Sequence, residues 1–240
     1  MRQGLMACLL VLAAACAAPG GAGAGGGASA AVDTGRAAVQ GGELFYEARG
    51  QGAPVVLLHA GAQYDHTMWD GQVQALARRH RVIRYDLRGF GRSSRPNGPF
   101  SPQADLLRVL EALGVQRASL VGLGMGSGVA INFALQHPDR VDRLVLASLG
   151  APPPNVPRPP GSPDLASPEG RERLRALRMP ILLIAGGADS TPGLRHETVV
   201  EQEVPGVRRV VVPGVGELVN LERPDDFNRL ILDFLAGGRR

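Results

Sequence analysis

The sequence predicts an α/β fold, a mostly parallel central sheet with helices packed on both faces. Three observations carry that prediction. Beyond about residue 36, short β-branched apolar runs alternate with helix-length segments, the order that builds a parallel sheet. Several runs, such as Pro54-Val-Val-Leu-Leu-His59, are apolar without alternation, as strands buried on both faces must be. Finally, Ala118-Ser-Leu-Val-Gly122 runs through a glycine-rich turn into an apolar segment ending before Pro138, a strand joined to a helix by a very tight turn.

In chain order, the first stretch lies outside the fold. Arg2, the apolar 5–12 and Ala13-Ala-Ala15 have the charged start, greasy centre and small-residue end of a secretory signal, 1–15. Cys16 follows directly, as in a lipoprotein box, so a lipid tether through Cys16 is expected, with simple cleavage and release as the alternative. The Gly/Ala-rich 16–35 reads as a flexible tether to a domain at 36–240. Both cysteines, Cys8 and Cys16, lie ahead of the domain, which therefore has neither disulfide nor thiol nucleophile; this suits an exported protein, periplasmic, extracellular or held on the cell envelope.

Within the domain, 37–40 and 43–47 across Gly41-Gly42 predict an opening hairpin, and 54–59 a buried strand. A helix over 69–79, a strand over 81–85 and a serine-capped helix over 101–113 lead to the strand at 118–122. After the helix ending at Pro138 come a strand over 143–148, a helix over 169–178, a strand over 180–185, a helix over 193–203, a strand over 207–212 and a helix over 224–235. Between them, 151–167 holds seven prolines, Pro152 to Pro163, and predicts an extended loop. The formal net charge is +4, and all 26 basic residues are arginines scattered along the chain, which gives no stripe for nucleic acid. A dinucleotide reading of Gly122-Leu-Gly-Met-Gly-Ser-Gly128 fails, because the last glycine of G-x-G-x-x-G falls on Ser127 in one register and on Val129 in the other.

Two motifs resemble the α/β-hydrolase family, in its small esterase and haloperoxidase-like branch. Gly122-Leu-Gly-Met-Gly126 has the spacing of the G-x-S-x-G nucleophile elbow, and Asp86-Leu-Arg-Gly-Phe-Gly-Arg-Ser93 that of a family loop, D-x-R-G-x-G-x-S. The resemblance spans about 37 to 235 and implies the α/β-hydrolase fold, with the usual cap domain reduced to the Pro-rich loop 151–167. It also implies where a triad belongs. The acid position, ending Pro180-Ile-Leu-Leu-Ile-Ala-Gly-Gly-Ala-Asp189, holds Asp189. The nucleophile position holds Gly124 in place of serine, and the base position, ending Pro213-Gly-Val-Gly-Glu217, holds Glu217 in place of histidine. The oxyanion donors implied are the backbone N–H groups of Gly61 and Met125, which survive any side-chain replacement. Ser127, one helical turn past the elbow, is expected to pack locally, and His59, Asp86, His66 and Ser94 to serve the loops.

Two vacant triad positions predict a pseudo-hydrolase that retains a pocket for a small-molecule ligand or ester-like substrate, with no cofactor and no metal. One alternative keeps hydrolysis of esters or lactones, with Asp189 and Glu217 facing each other and acting as general base on water. Another, from a different class, is an envelope interaction module using the Pro-rich loop as its contact.

Overall fold

A computed structural model describes residues 32–149, 162–190 and 194–237, the side chains of residues 194 and 195 excepted. The expected export signal, Cys16, most of the tether and most of the proline-dense loop lie outside these residues. Among the described residues no helix is long and apolar enough to cross a membrane.

Eight strands form one sheet in the order β1-β2-β4-β3-β5-β6-β7-β8. A hairpin of β1 (Asp33–Val39) and β2 (Gly42–Arg49) opens the chain, and β2 also runs antiparallel to β4 (His80–Tyr85). From β4 onward the sheet is parallel, through β3 (Ala53–Leu58), β5 (Ala118–Leu123), β6 (Val141–Ala147), β7 (Ile181–Gly186) and β8 (Arg208–Val212). The hairpin begins earlier than expected, because Asp33, Thr34 and Gly35 pair with Ala48, Glu47 and Tyr46; the folded chain therefore starts before residue 36.

Successive side chains of a strand face opposite ways, and here both ways are inward. Val56, Leu58, Leu120 and Leu183 join one core, with α2 (Pro102–Ala112), α3 (Met125–Gln136), α4 (Pro168–Arg175) and α5 (Leu194–Glu203) on that face. Val55, Leu57, Val121 and Leu182 join the other, covered by α1 (Asp70–Leu76) and α7 (Pro224–Leu235). A four-residue helix, α6 (Val219–Glu222), was not expected from the sequence. The helix predicted over 69–79 is shorter, because His66–Trp69 forms a 3₁₀ turn first. Ser101 caps α2 as predicted, accepting from the Ala104 amide at 3.2 Å.

The turn from β5 to α3 sets the position of everything at the sheet's carboxyl edge. Gly124 holds φ 54° and ψ −116°, backbone that strains any residue with a Cβ. A Cβ on Gly126 would strike the Leu58 carbonyl, so its absence lets α3 lie directly on β3.

Candidate functional site

The carboxyl ends of four strands converge on the elbow. The 60–64 segment leaves β3, Gly124 follows β5, Asp189 follows β7 and Glu217 follows β8. Glu217 reaches across so that its Oε1 lies 3.1 Å from where a Cβ on Gly124 would stand; Ala60 Cβ lies 3.4 Å from the same point. Glu217 thus meets Gly124, the two residues that the sequence led us to expect as replacements at the base and nucleophile positions, and neither offers a hydroxyl or an imidazole.

Local bonds hold Glu217 there. Its carbonyl accepts the Ser148 hydroxyl at 2.8 Å and the Val219 amide at 3.1 Å. One turn on, the Glu222 carboxylate accepts the Gly216 amide at 3.1 and 3.2 Å, which fixes the bend before Glu217. The Asp189 loop is tied to the same region, with Gly187 N–H on Val212 O at 2.7 Å and Ala188 N–H on Val215 O at 2.8 Å. Glu217 is half-buried. Burial first, and then the charge of Asp189, push its pKa above the ordinary glutamate value.

The two amides expected to hold an oxyanion both point at acceptors inside the protein, a correction to the expectation that they stand available. Met125 N–H points at the Ala60 carbonyl, 3.3 Å away, and Gly61 N–H at His59 Nδ1, 3.1 Å away. The second arrangement is contested. Leu87 N–H donates to the other ring nitrogen of His59 at 2.9 Å, and burial lowers the His59 pKa to about 4. A neutral imidazole accepts at one nitrogen only, so His59 satisfies one of these amides at a time.

The remaining candidates fall where the sequence placed them. Ser127 is fully buried and donates its hydroxyl at 2.8 Å to the Ala147 carbonyl, the acceptor that also takes the Gly124 amide at 3.0 Å. Asp86 accepts from the His66 amide at 2.8 Å and the Arg92 amide at 2.7 Å, and pairs with His66 Nδ1 at 2.6 Å, which pins the glycine-rich loop. Ser94 accepts the Glu43 amide at 3.0 Å. Asp65, His66 and Asp86 are the one His/Asp/Glu trio among the described residues with ligand atoms within 4.8 Å of one another. Most of their ligand atoms already hold the loop, since Asp65 Oδ1 accepts from Thr67 N–H at 2.8 Å and from Thr67 Oγ1–H at 2.6 Å.

One group escaped the sequence reading. Glu197 of α5 is fully buried and accepts the Leu149 amide at 3.0 Å, while its second oxygen has no hydrogen bond. The Arg209 guanidinium stands 3.8 Å away. Burial pushes the Glu197 pKa up to about 7, against the Leu149 bond and Arg209; Asp189 adds to the rise. A lone glutamate in a helix reads as a solvated face, so no sequence signal marked it.

Between the 60–64 segment and Glu217, Leu218 and Glu222 lies a cavity of about 360 Å³, open to solvent on one side. That is the size of a small-ligand cleft.

Comparison with known proteins bears on the family of the fold. Residues 53–173 match the model of the family described as alpha/beta hydrolase fold. A putative carbamate hydrolase RutD of Azorhizobium caulinodans is 30% identical over 251 residues, covering 80% of this chain and 94% of that protein. An uncharacterized protein of Mycobacterium tuberculosis is 35% identical over 188 residues, 72% of this chain and 51% of that one, so the chain spans about half of that relative. The carboxylesterase CesB of Bacillus subtilis superposes with a TM-score of 0.75 at 20% identity, covering 87% of this chain and 93% of that one; this likeness shows the fold alone.

Proposed function

Because the chain belongs to the alpha/beta hydrolase fold family, we propose that it is a member that binds a small molecule at the family's site without forming an acyl-enzyme. One observation carries this reading. Glu217 Oε1 sits 3.1 Å from the place a Gly124 side chain would start, so attacking oxygen and proton acceptor are both replaced at the point where they would meet. In a serine hydrolase, loss of either costs on the order of 10⁶ in turnover, and about 10³ to 10⁴ over water survives from the rest of the site. Here the surviving part is also weakened, because both oxyanion amides point inward. The relative named for carbamates adds carbamates to the esters and lactones that the sequence already suggested as compounds to offer.

The test is turnover of aryl esters, lactones and carbamates by the purified full chain, with a fluorophosphonate as covalent probe. The expected result is no labelling and no turnover that the probe abolishes; probe-sensitive turnover would overturn the reading. The double variant Gly124→Ser with Glu217→His is expected to gain esterase activity.

A second reading has its own observation. Glu217 is raised in pKa by burial and by Asp189, and it faces the elbow with no side chain between. Such a carboxylate is suited to take a proton from a water attacking a bound carbonyl directly. Any hydrolysis by this route is expected to vanish in Glu217→Gln with the fold intact, and unchanged turnover removes it. The proposal extends to export of the protein, with lipid labelling that is lost in Cys16→Ser if the tether exists.

A further inference from the structure

We propose that the ligand of this cavity is a small organic cation with a short alkyl body, such as an alkylammonium. The proposal rests on the cavity being the ligand site and goes on to name the charge of what enters.

Charge decides first. Glu217 and Glu222 both line the cavity, and among the described residues no arginine or histidine does. Asp189 adds a third negative charge within electrostatic reach of Glu217. Glu222 is tied to the Gly216 amide, whereas no described residue donates a hydrogen bond to the Glu217 carboxylate or pairs with it. A half-buried carboxylate left without donor or counter-ion is costly, and a cation entering beside it supplies both. An anionic ligand meets repulsion at the same spot.

Geometry then selects an organic cation over a metal ion. The carboxylates of Asp189, Glu217 and Glu222 do not converge on one point; the trio that does, among the described residues, is Asp65, His66 and Asp86, which lies apart from the cavity lining and pins the loop. Carboxylates that do not converge suit an organic cation better than a compact metal ion. The rest of the surface fits its carbon, since Tyr64 and Leu218 line the cavity and Met125, 49% exposed, lies against Gly61. Aromatic faces and thioethers are good neighbours for an alkylammonium.

The test compares three probes of equal length, n-butylammonium, 1-butanol and butyrate, titrated into the full chain at pH 8 by calorimetry and followed by NMR shifts at Gly61 and Leu218. Butylammonium is expected to bind about tenfold or more tightly than butanol, with butyrate bound weakest. Glu217→Gln is expected to bring butylammonium close to butanol, and NMR shifts at Gly61 and Leu218 on adding butanol to the variant show that the cavity persists. Equal binding of butanol or butyrate in the native chain overturns the proposed charge but leaves the pocket reading standing. Displacement of butylammonium by an equal concentration of Ca²⁺ also overturns it, in favour of a metal. Absence of binding by every probe removes the pocket reading together with this one.

Discussion

Glu197 shows how one residue makes stability depend on pH. Its folded pKa, about 7, stands above its ordinary 4.5, so the folded chain holds a proton that the unfolded chain releases between those values. Unfolding then loses protons across this window, and stability falls as pH rises from about 4.5 to 7, by at most about 3 kcal/mol. Glu197→Gln keeps an acceptor for the Leu149 amide. It is expected to match the native chain at pH 5 and to melt several degrees higher at pH 8, as measured by calorimetry. An equal change at both pH values would remove titration as the cause. Sequence alone gave no sight of this residue, because burial of a single helix position depends on which loop closes over it. Gly124, Asp189 and Glu217 were legible for the opposite reason. Each ends a strand, and strand ends on one edge of a parallel sheet are brought together by topology before any side chain is considered.

At the scale of elements, the elbow depends on close approach. A Cβ on Gly122 would lie 2.5 Å from the carbonyl carbon and oxygen of Gly126, so α3 is seated directly on the strand that feeds it. Gly126→Ala, which drives a methyl into the Leu58 carbonyl, is expected to cost more than about 3 kcal/mol, or to prevent folding, as read by urea unfolding. Gly124→Ser is milder. It meets the Glu217 carboxylate at 3.1 Å, Ala60 Cβ at 3.4 Å and the φ of 54°, for about 1–3 kcal/mol of strain. The elbow was readable because glycine spacing records backbone proximity directly. By contrast α6, four residues long, carries too little periodicity to announce itself, and the early start of β1 at Asp33 follows from pairing with β2 rather than from any pattern of its own.

Across the whole molecule, two apolar layers enclose the sheet, and polar bonds join distant parts of the chain around the cavity. Phe227 of α7, fully buried with its ring centred 5.9 Å from that of Trp69, anchors the layer beneath the site. Phe227→Ala is expected to cost about 3–5 kcal/mol and to lower the melting temperature by about 10 °C. Nearby, Asn220 donates to the Met68 carbonyl at 3.1 Å, and its own carbonyl accepts from Gln72 at 3.1 Å, which clamps α6 to the segment beyond residue 64. The alternation of strands and helices foretold the layers, but which polar residues would bridge them depends on contacts 148 and 152 positions apart in sequence.

The shared imidazole at position 59 has a consequence for motion. With Leu87 at 2.9 Å and Gly61 at 3.1 Å competing for one lone pair, the Gly61 side is the weaker claimant. The Gly61 amide proton is therefore expected to exchange with solvent faster than that of Leu87.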